Sequence, residues 1–425
     1  MTIIAASDVG GGEGRPDLAA PRRVVFVQDG ARLRYALPLA LQSAGILDVM
    51  HTDWYARRGS THAALAAVMA KLPYAVGRRL AGRRSTALDD RKIFGPFWTS
   101  LLGRLSERRA SSAEELYIRR SGIMARHVLR HGWGNADALA GFVRNIDPLL
   151  CERARRRGMA VILDQMIAPI TVEQRAAERQ AALWPGWERP IDATGPLRMR
   201  EVERRSWAAA NHITCASDYV RRGLIDEGVD RDRISVLPYP IDTGMFAFHD
   251  RSCRSDVVRI GFVGAVSLRK GAPAFLKVAH VFDPKVAEFV MIGPHALDEA
   301  RLAQERGGVR LVGAVPAATI PGWLQHFDVL LFPSTCEGSA GAVMEAMATG
   351  LPIVTTPESG TLVRDGVDGF LHGPEDIEGM THSIARLIAD PGLRSRMGSA
   401  ARRRVEPMTI EHYGHVWREL LERLL

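Results

Sequence analysis

The chain has 425 residues, which exceeds the roughly 250 to 300 residues at which a single hydrophobic core stops growing, so its length predicts two domains. A composition of 46% hydrophobic and 24% charged residues excludes a disordered chain, and no apolar run reaches the ~20 residues of a membrane span. The net charge of +8 is uneven, since residues 1–200 carry 31 Lys and Arg against 19 Asp and Glu, and this excess predicts either an anionic partner or a solvated, arginine-rich surface.

The first 21 residues are rich in glycine and lack the apolar core of a signal peptide. We therefore expect a disordered tail at residues 1–21 and a protein that stays in the cytoplasm. The four cysteines are scattered and form no CxxC pair, which favours reduced thiols over a zinc site or a disulfide framework. We expect no metal and no cofactor.

Short β-branched runs alternate with longer helical patterns along most of the chain, which is typical of βαβ units and predicts an α/β fold with parallel sheets. Residues 22–241 are predicted to form a first Rossmann-like domain. Within it, 61–130 is rich in arginine and is predicted to be mostly helical. The other predicted elements of this domain are a helix at Arg34–Ala44 and strands at Val24–Gln28, Ala138–Phe142, Met159–Asp164 and His212–Ala216.

The segment Leu237–Gly244 contains two prolines and a glycine, and it predicts the domain linker. Residues 242–407 are then predicted to form a second Rossmann-like domain. The remaining residues, 408–425, include an amphipathic helix at Ile410–Leu425 that we expect to pack back on the first domain. The predicted strands of the second domain are Val258–Val263, Glu288–Ile292, Val309–Val312, Val329–Pro333 and Ile353–Thr356.

The most informative stretch is Val329–Thr356, with the sequence VLLFPSTCEGSAGAVMEAMATGLPIVTT. Its apolar strand ends at Pro333, small residues follow, and good helix formers run from Ala342 to Thr349. A helix therefore begins at the carboxyl edge of a parallel sheet. Ligands of open α/β sheets bind at that edge, and the free N–H groups of a helix start suit a diphosphate.

Two acidic residues flank this helix start: Glu337 precedes the helix, and Glu345 lies inside it. Carboxylates do not suit a phosphate, but they accept hydrogen bonds from the hydroxyl groups of a sugar or a ribose. The stretch thus predicts a ligand that has both phosphates and hydroxyls. Because Gly338 has no side chain, we expect the ligand to approach the backbone closely there.

These residues resemble the retaining glycosyltransferases of family 4, whose mark is a glutamate, seven residues and a second glutamate at a strand-to-helix turn. Here the motif is Glu337, GSAGAVM and Glu345. The sequence GFVGAVSLRKG at 261–271 is similar to the family's first C-terminal-domain strand and basic loop, and SVLPYPIDTGMF at 235–246 is similar to its interdomain segment. The resemblance covers about residues 200–404.

The resemblance implies a GT-B fold, with two Rossmann-like domains facing across a cleft, and metal-independent sugar transfer from a nucleotide-sugar donor with retention of configuration. It implies that Glu337 contacts the donor sugar, that Glu345 contacts the ribose, and that Lys270 contacts the diphosphate. Arg269 and Lys270 are cations able to stabilise charge that grows on the leaving diphosphate. The other residues implied at the donor are Gly264, Gly293, Pro294, Gly338, Ser339, Ala340 and Gly341.

The chain departs from the family pattern in three places. The family often has Arg where Ala265 stands, which moves phosphate binding toward the following basic loop, and it often has Gly where Ala340 stands. Its histidine at the end of a central first-domain strand is replaced here by ILDQM, so Asp164 or Gln165 is predicted on the acceptor side. Gly30, in a reduced glycine turn after the first strand, is predicted on the same side.

Three other functions fit parts of the pattern. A nucleotide-sugar-binding protein without activity fits the departures, a nucleotide-sugar epimerase can share the architecture, and the basic charge alone suggests a nucleic-acid binder, which lacks recognition motifs here. We predict as partners a nucleotide-sugar donor, a sugar or lipid-linked acceptor of polysaccharide or glycolipid assembly, and peripheral contact with the anionic inner face of the membrane, but no nucleic acid. Four aromatic residues are interpreted as core residues, with acceptor or membrane contact as the alternative: Phe97, Trp98, Trp184 and Trp187.

Overall fold

A computed structural model of the chain describes residues 22–57, 59, 64, 83–107, 109–189, 194–250 and 257–425. The predicted tail at residues 1–21, and residues 61–63, 65–82 and 108 of the predicted helical stretch, lie outside the described residues. The described residues form two α/β domains, and each is built around a parallel sheet.

In the described residues the first domain has seven strands, and all but the two at the edges of its sheet are buried along nearly their whole length, as expected for a parallel sheet covered on both faces. They are β1 (Val24–Gln28), β2 (Leu47–Thr52), β3 (Ile93–Phe94), β4 (Ala138–Phe142), β5 (Ala160–Gln165), β6 (His212–Cys215) and β7 (Ile234–Val236). All pairs are parallel, in the order β3-β2-β1-β4-β5-β6-β7. Two clusters of apolar side chains, one on each face of this sheet, form its core.

Several helices of the first domain begin at a serine or aspartate whose side chain accepts a hydrogen bond from the first turn. Ser112 accepts from the N–H of Glu115, and Asp147 accepts from the N–H of Leu149, which satisfies donors that have no partner within the helix. The helices are α1 (Ala36–Ser43), α2 (Phe97–Glu107), α3 (Ala113–His131), α4 (Pro148–Arg156), α5 (Ile170–Leu183), α6 (Thr194–Ala209) and α7 (Asp218–Asp226).

The second domain repeats this plan around one apolar core. Its strands are β8 (Val258–Val263), β9 (Ala287–Ile292), β10 (Arg310–Gly313), β11 (Val329–Phe332), β12 (Ile353–Thr355) and β13 (Gly369–Leu371). They pair in parallel in the order β10-β9-β8-β11-β12-β13. The helices that follow along the chain are α8 (Ala272–Ala279), α9 (Glu299–Glu305), α10 (Ile320–His326), α11 (Gly341–Thr349), α12 (Ile377–Ala389), α13 (Pro391–Val405) and α14 (Ile410–Leu424).

All nine predicted strands are present, with ends that differ by at most one residue. The sequence interpretation missed β2, β3, β7 and β13. β2 mixes Asp48, His51 and Thr52 with apolar residues, so it lacks the apolar run of a buried strand, and the other three are two or three residues long. The predicted helix at Arg34–Ala44 begins late, at Ala36, because the preceding residues form a left-handed turn.

The last helix, α14, packs against α1 of the first domain. Tyr413 and Trp417 are 4% and 1% exposed, and they belong to the same apolar cluster as Leu37 of α1. The two helices approach closely at Gly414, where an added Cβ would lie 2.3 Å from the carbonyl oxygen of Ala40. Helix α14 therefore completes the apolar core of the first domain.

We expect Gly414→Ala to lower the free energy of unfolding by about 1–3 kcal/mol, because the methyl group collides with main chain, even though alanine favours a helix. Gly322→Ala in α10 is the matched control, since no atom lies within 4 Å of its added Cβ. That control should stabilise the protein slightly. Urea unfolding of both variants checks the prediction, and equal effects of the two substitutions would contradict the close packing.

The segment after α5 crosses to the second domain. Trp187 is 5% exposed and packs within the second domain's apolar core. Its carbonyl oxygen accepts a hydrogen bond of 2.7 Å from the N–H of Asp298, and Glu188 accepts one of 2.7 Å from the N–H of Leu268. Trp187 is thus a core residue, as interpreted, but of the other domain. Trp98 is 68% exposed, so its interpretation as a core residue is wrong.

Two histidines meet inside the first domain. His51 on β2 is 1% exposed and His127 on α3 is 6% exposed, and the His51 Nδ1 lies 3.3 Å from the His127 Nε2. Burial lowers the pKa of His51 to about 3 and that of His127 to about 4, and neighbouring histidines add to both shifts. The folded state therefore holds both rings neutral at a pH where the unfolded chain would bind protons.

This pair predicts acid sensitivity. Between the folded pKa values and the unfolded value near 6.5, the unfolded state binds more protons, so stability rises with pH and is lost as the pH falls below about 6.5. We expect His51→Gln to remove about 2 kcal/mol of the stability loss between pH 7 and pH 5, as measured by urea unfolding. His415→Gln, on the exposed side of α14, is the control and should change nothing. A pH dependence unaffected by His51→Gln would contradict the prediction.

Candidate functional site

The centre of the second sheet is a topological switch point. β8 and β11 pair there, and the strands beyond them continue the sheet in opposite directions along the chain. A crevice forms outside the carboxyl ends of such a pair, and it is where doubly wound sheets bind ligands. Two loops enter the crevice, 264–271 after β8 and 333–340 after β11, and they carry most of the predicted donor residues.

Glu337 is buried between these loops at 7% exposure. Its Oε1 atom lies 2.7 Å from the Nη1 of Arg269 and 2.5 Å from the Nζ of Lys270, and it accepts a hydrogen bond of 3.1 Å from the hydroxyl of Ser334. The Arg269 Nη1 also donates to the carbonyl oxygen of Cys336 at 2.9 Å. A single carboxylate oxygen therefore holds both cations that the sequence singled out.

The electrostatics of this cluster favour an anion. Burial lowers the pKa of Arg269, but the carboxylates of Glu337 and Glu173 outweigh it, and the net shift is upward. For Lys270, burial outweighs the attraction of Glu337 and the neighbouring Arg269 adds repulsion, so the pKa is lowered. Two cations share the Glu337 carboxylate, so the Glu337–Arg269–Lys270 trio carries a net positive charge that a diphosphate would neutralise.

Glycines let the loops of the crevice approach one another. Gly271 has a φ of 72°, and an added Cβ would lie 1.9 Å from the carbonyl oxygen of Pro333. Gly293 has a φ of 144°, and its added Cβ would lie 1.9 Å from the carbonyl oxygen of Gly264. The structure thus brings the predicted donor residues Gly264 and Gly293 together, with Pro294 exposed beside them. Each glycine is required by the main chain of a neighbouring loop.

Gly338 has a different neighbour from the one predicted. An added Cβ would lie 1.7 Å from the carbonyl oxygen of Met166, at the end of β5 in the first domain. The Gly338 carbonyl oxygen in turn accepts a hydrogen bond of 2.5 Å from the hydroxyl of Ser217, which begins α7. The first domain therefore occupies the Cβ side of Gly338, and the approach of a ligand to the rest of the Gly338 backbone stays a prediction.

The helix start itself is open at some of the predicted positions and closed at others. Gly341, the first residue of α11, is exposed, and no atom lies within 4 Å of its added Cβ. Ser339 is partly exposed. Ala340 is 2% exposed, belongs to the apolar core, and donates its N–H to the carbonyl oxygen of Ser359 at 3.0 Å. The prediction that Ala340 contacts a donor is thus corrected, because its methyl group and its N–H are both used within the fold.

Glu345 faces the first domain across the cleft. Its Oε1 lies 3.8 Å from the Nη2 of Arg34, and its side chain is 22% exposed. Burial raises the pKa of Glu345, and Arg34 partly offsets the effect. Arg34 belongs to a turn in which Leu33, Arg34 and Tyr35 all have positive φ, at 48°, 51° and 65°. Such strain in consecutive non-glycine residues is typical of functional segments.

Asp164 and Gln165 do not line an acceptor site. Both are 1% exposed. Asp164 accepts hydrogen bonds from the hydroxyls of Thr214 at 2.8 Å and Tyr239 at 2.5 Å, and burial raises its pKa to about 7 against the effect of these bonds. Gln165 donates to Glu203 at 3.1 Å and accepts from the indole of Trp207 at 2.9 Å. Their prediction on the acceptor side is corrected, because internal partners use their polar groups.

Gly30, the third predicted acceptor residue, lies at the carboxyl end of β1 with a φ of 75°. Its N–H donates a hydrogen bond of 2.9 Å to the carboxylate of Asp53. The atom nearest to its added Cβ is the Nη2 of Arg83, at 3.8 Å. Gly30 therefore borders a group of charged side chains in the first domain.

The sequence interpretation did not identify three residues of the site. Ser334 stands three positions before Glu337 and could have been found as a polar residue where the apolar strand ends. The sequence around Ser217 predicts a helix cap, and the structure has one there. Nothing in the sequence indicates the hydrogen bond from Ser217 to Gly338. Arg34 was placed on a helix, and its pairing with Glu345 depends on how the two domains meet.

Residues 257–390 match the family model of the glycosyl transferases, group 1. The D-inositol 3-phosphate glycosyltransferase of Kribbella flavida is 26% identical over 219 residues, an alignment that covers 45% of this chain and 52% of the relative. The chain spans about half the length of the curated relatives it matches.

Solved structures cover nearly the whole chain. Sucrose-phosphate synthase of Thermosynechococcus elongatus has a TM-score of 0.65 at 15% identity and covers 95% of this chain and 99% of its own. HepE of Anabaena, solved with UDP and glucose, has a TM-score of 0.62 at 14% identity and covers 95% of this chain and 100% of its own. The likeness confirms the predicted GT-B fold.

Further features of the described part of the chain bear on the sequence predictions. No described helix is both long enough and apolar enough to span a bilayer. Among the described residues, no group of three or more His, Cys, Asp or Glu is arranged to hold a metal ion. Cys151, Cys215 and Cys336 are free and buried, and burial raises the pKa of Cys336, next to Glu337, to about 12. That thiol is therefore a small buried group at neutral pH.

Proposed function

We propose that the protein is a glycosyltransferase that moves a sugar from a nucleotide-sugar donor to an acceptor with retention of configuration, in polysaccharide or glycolipid assembly. The observation that carries this proposal is the cluster at the switch point, where Arg269 and Lys270 share the carboxylate of Glu337. The group 1 match over the second domain and the glycosyltransferase relatives support it.

In the proposed reaction, the bond between the anomeric carbon and the diphosphate breaks and the acceptor oxygen bonds to the same face of that carbon. The acceptor's proton passes to the departing phosphate oxygen. Negative charge grows on the diphosphate, which Arg269, Lys270 and the amides at the start of α11 would stabilise. Displaced from the cations by the diphosphate, Glu337 would accept hydrogen bonds from the sugar hydroxyls, and Glu345 from the ribose.

We propose that these side-chain cations do the work that a divalent ion does in other transferases, so that no metal is required. Sugar transfer should then persist in EDTA. Retention is tested separately, by the anomeric proton coupling of the first product formed. UDP-sugars are the first donors to try, because HepE was solved with UDP and glucose.

The proposed location is the cytoplasmic face of an anionic membrane. α2 exposes Trp98, Leu102 and Leu105 at 68%, 47% and 47%, with the spacing of one helical face. An apolar helix face on a basic domain is typical of peripheral membrane contact.

We expect salt-sensitive binding to phosphatidylglycerol vesicles, measured by cosedimentation, and weaker binding to phosphatidylcholine. Leu102→Gln together with Leu105→Gln should weaken binding by about tenfold, because two apolar side chains no longer enter the lipid. Leu425→Gln, also exposed, is the control. No binding to either lipid at low ionic strength would leave a soluble acceptor as the better proposal.

The deciding experiment measures melting temperature and nucleotide release with a panel of UDP-, GDP- and ADP-sugars, with and without acceptors. A responsive donor raises the melting temperature by mass action, and a transferase releases nucleotide faster when an acceptor is added. A binding protein would be stabilised but would release none. An epimerase would convert the donor sugar with no acceptor present, and either result would replace the proposal.

A further inference from the structure

A cavity of about 320 Å³ lies in the first domain, beside the carboxyl ends of β1 and β2 and between α2 and α3. Charged and hydroxyl side chains form much of its wall. The charged and hydroxyl residues that line it include Asp29, Asp53, Arg83, Ser100, Arg104 and Arg120. Its size is at the lower end of the range for small-molecule sites, roughly 300 to 1,000 Å³, and suits a single ring better than a long chain.

Most charges on this wall are already paired. The Asp53 carboxylate pairs with Arg83 and accepts the N–H of Gly30 at 2.9 Å. Arg120 is hydrogen-bonded to Glu107. These pairs give the cavity a fixed framework.

Asp29 is ion-paired with Arg120 but, unlike the other acids of the wall, accepts no hydrogen bond. It is 8% exposed, and its nearest cation, the Nη1 of Arg120, is 3.6 Å from its Oδ2. No described residue donates a hydrogen bond to its carboxylate, and the carboxylate oxygens are not fully buried. Burial raises the pKa of Asp29 to about 6, and the nearby Asp53 adds to the shift. A ligand hydroxyl in the cavity would supply the missing donor.

Arg104 is the exception among the bases. Arg104 lines the cavity, and within the described part of the chain no carboxylate pairs with it. An arginine fork of this kind binds a carboxylate or a phosphate through two parallel hydrogen bonds. The cavity therefore presents one carboxylate that can still accept hydrogen bonds from hydroxyls and one cation without a described carboxylate partner.

The cavity also lies on the cleft side of the domain. Asp29 directly follows β1, and five residues later in the same loop Arg34 reaches Glu345 of the second domain. A group held at Asp29 is thus on the loop that faces the proposed donor site.

We infer that this cavity holds the acceptor, and that the acceptor is a hydroxyl-rich ring carrying one anionic group, a phosphate or a carboxylate. Asp29 accepts hydrogen bonds from ring hydroxyls, and Arg104 binds the anionic group. The assignment as the acceptor site rests on the proposed glycosyl transfer, whereas the class of ligand rests on the cavity alone.

Binding is tested without turnover. Glucose 6-phosphate, glucuronate, glucose and inorganic phosphate are titrated into the full chain at millimolar concentrations, with saturation-transfer NMR as the readout. We expect the two anionic sugars to bind at least about tenfold more tightly than glucose or phosphate, since they alone use both groups. Equal binding of glucose, binding of phosphate as tight as that of glucose 6-phosphate, or no binding of any probe would overturn the inference.

Variants locate the site. Asp29→Asn and Arg104→Gln should each weaken binding of the anionic sugars by about tenfold or more, and Arg119→Gln, on the outer side of α3 where it pairs with Glu115, is the control. Stabilisation by UDP, whose proposed site is in the second domain, reports that each variant is folded. Wild-type affinity in both variants would overturn the inference. Variant-sensitive binding without any sugar transfer would support the ligand class while defeating the proposed function.

Discussion

Glu337→Gln should reduce sugar transfer by at least about a hundredfold while nucleoside diphosphate still binds. One oxygen of Glu337 holds Arg269 at 2.7 Å and Lys270 at 2.5 Å, so the carboxylate competes directly with a diphosphate for both cations. Glutamine keeps the shape of the side chain but loses its charge. The cations remain available to the diphosphate, whereas the charged acceptor for the donor sugar is gone.

Glu337→Gln should also make the melting temperature of the protein depend more strongly on bound UDP. Without the carboxylate, Arg269 and Lys270 are two neighbouring cations with no compensating charge from Glu337, and Lys270 is largely buried, with its side chain 15% exposed. We expect a lower melting temperature for the variant alone, and a larger rise on adding UDP than the wild type shows, because UDP restores the missing negative charge.

Glu305→Gln is the matched control. Glu305 also pairs with a lysine of the second domain, Lys277 at 3.1 Å, but both side chains are more than 30% exposed and lie away from the switch point. Exposed pairs contribute little, so this variant should keep wild-type transfer and nearly wild-type stability. A transfer rate unchanged by Glu337→Gln would remove Glu337 from the mechanism.

The sequence predicted those parts of the site that are formed by segments close together in the chain. The strand β11, the turn after it and the helix α11 follow one another within twenty-one residues, and an apolar run, small residues and helix formers mark each. The glutamates were recognised because they stand at fixed positions in that strand-turn-helix unit, and the basic loop because it directly follows the strand β8. Parallel pairing of β8 with β11 then brings the two loops together.

The parts that the sequence missed depend on how distant segments meet. Arg34 and Glu345 are 311 positions apart, and their pairing depends on a left-handed turn at Arg34. The turn residues are neither glycine nor asparagine, so the sequence does not predict that conformation. Asp164 is polar at the end of a strand, which usually indicates a site, yet Tyr239 from the interdomain segment covers it. Whether a buried polar residue is functional is decided by partners that local sequence does not reveal.

Gly338→Ala is expected to impair transfer by about a hundredfold or more through a different cause, the position of the domains. The added methyl would lie 1.7 Å from the Met166 carbonyl oxygen and 2.9 Å from the Ile167 Cα, both main-chain atoms of the first domain. Main chain at a strand end cannot rotate away as a flexible side chain can, so the domains must separate. A displacement of about 1 Å at a reacting centre is enough for such a loss.

Gly322→Ala in α10 is the control for this substitution. It adds the same methyl group to the second domain at a position outside the predicted donor residues, and no atom lies within 4 Å of it. Small-angle scattering should detect a larger radius of gyration for Gly338→Ala and no change for Gly322→Ala, and transfer should fall only in the first. UDP should still stabilise both variants, because Arg269 and Lys270 belong to the second domain.

A compact Gly338→Ala variant with wild-type transfer would show that the domains tolerate the methyl and that the contact with Met166 is unimportant. A larger radius of gyration together with a loss of transfer would show that domain closure requires a glycine at this position. Gly338 adjoins Glu337, and its carbonyl oxygen is held by Ser217 of the first domain at 2.5 Å. The residue next to the proposed catalytic carboxylate is thus also a point of contact between the domains. Closure and placement of Glu337 would then be coupled, because the two residues are adjacent in the chain.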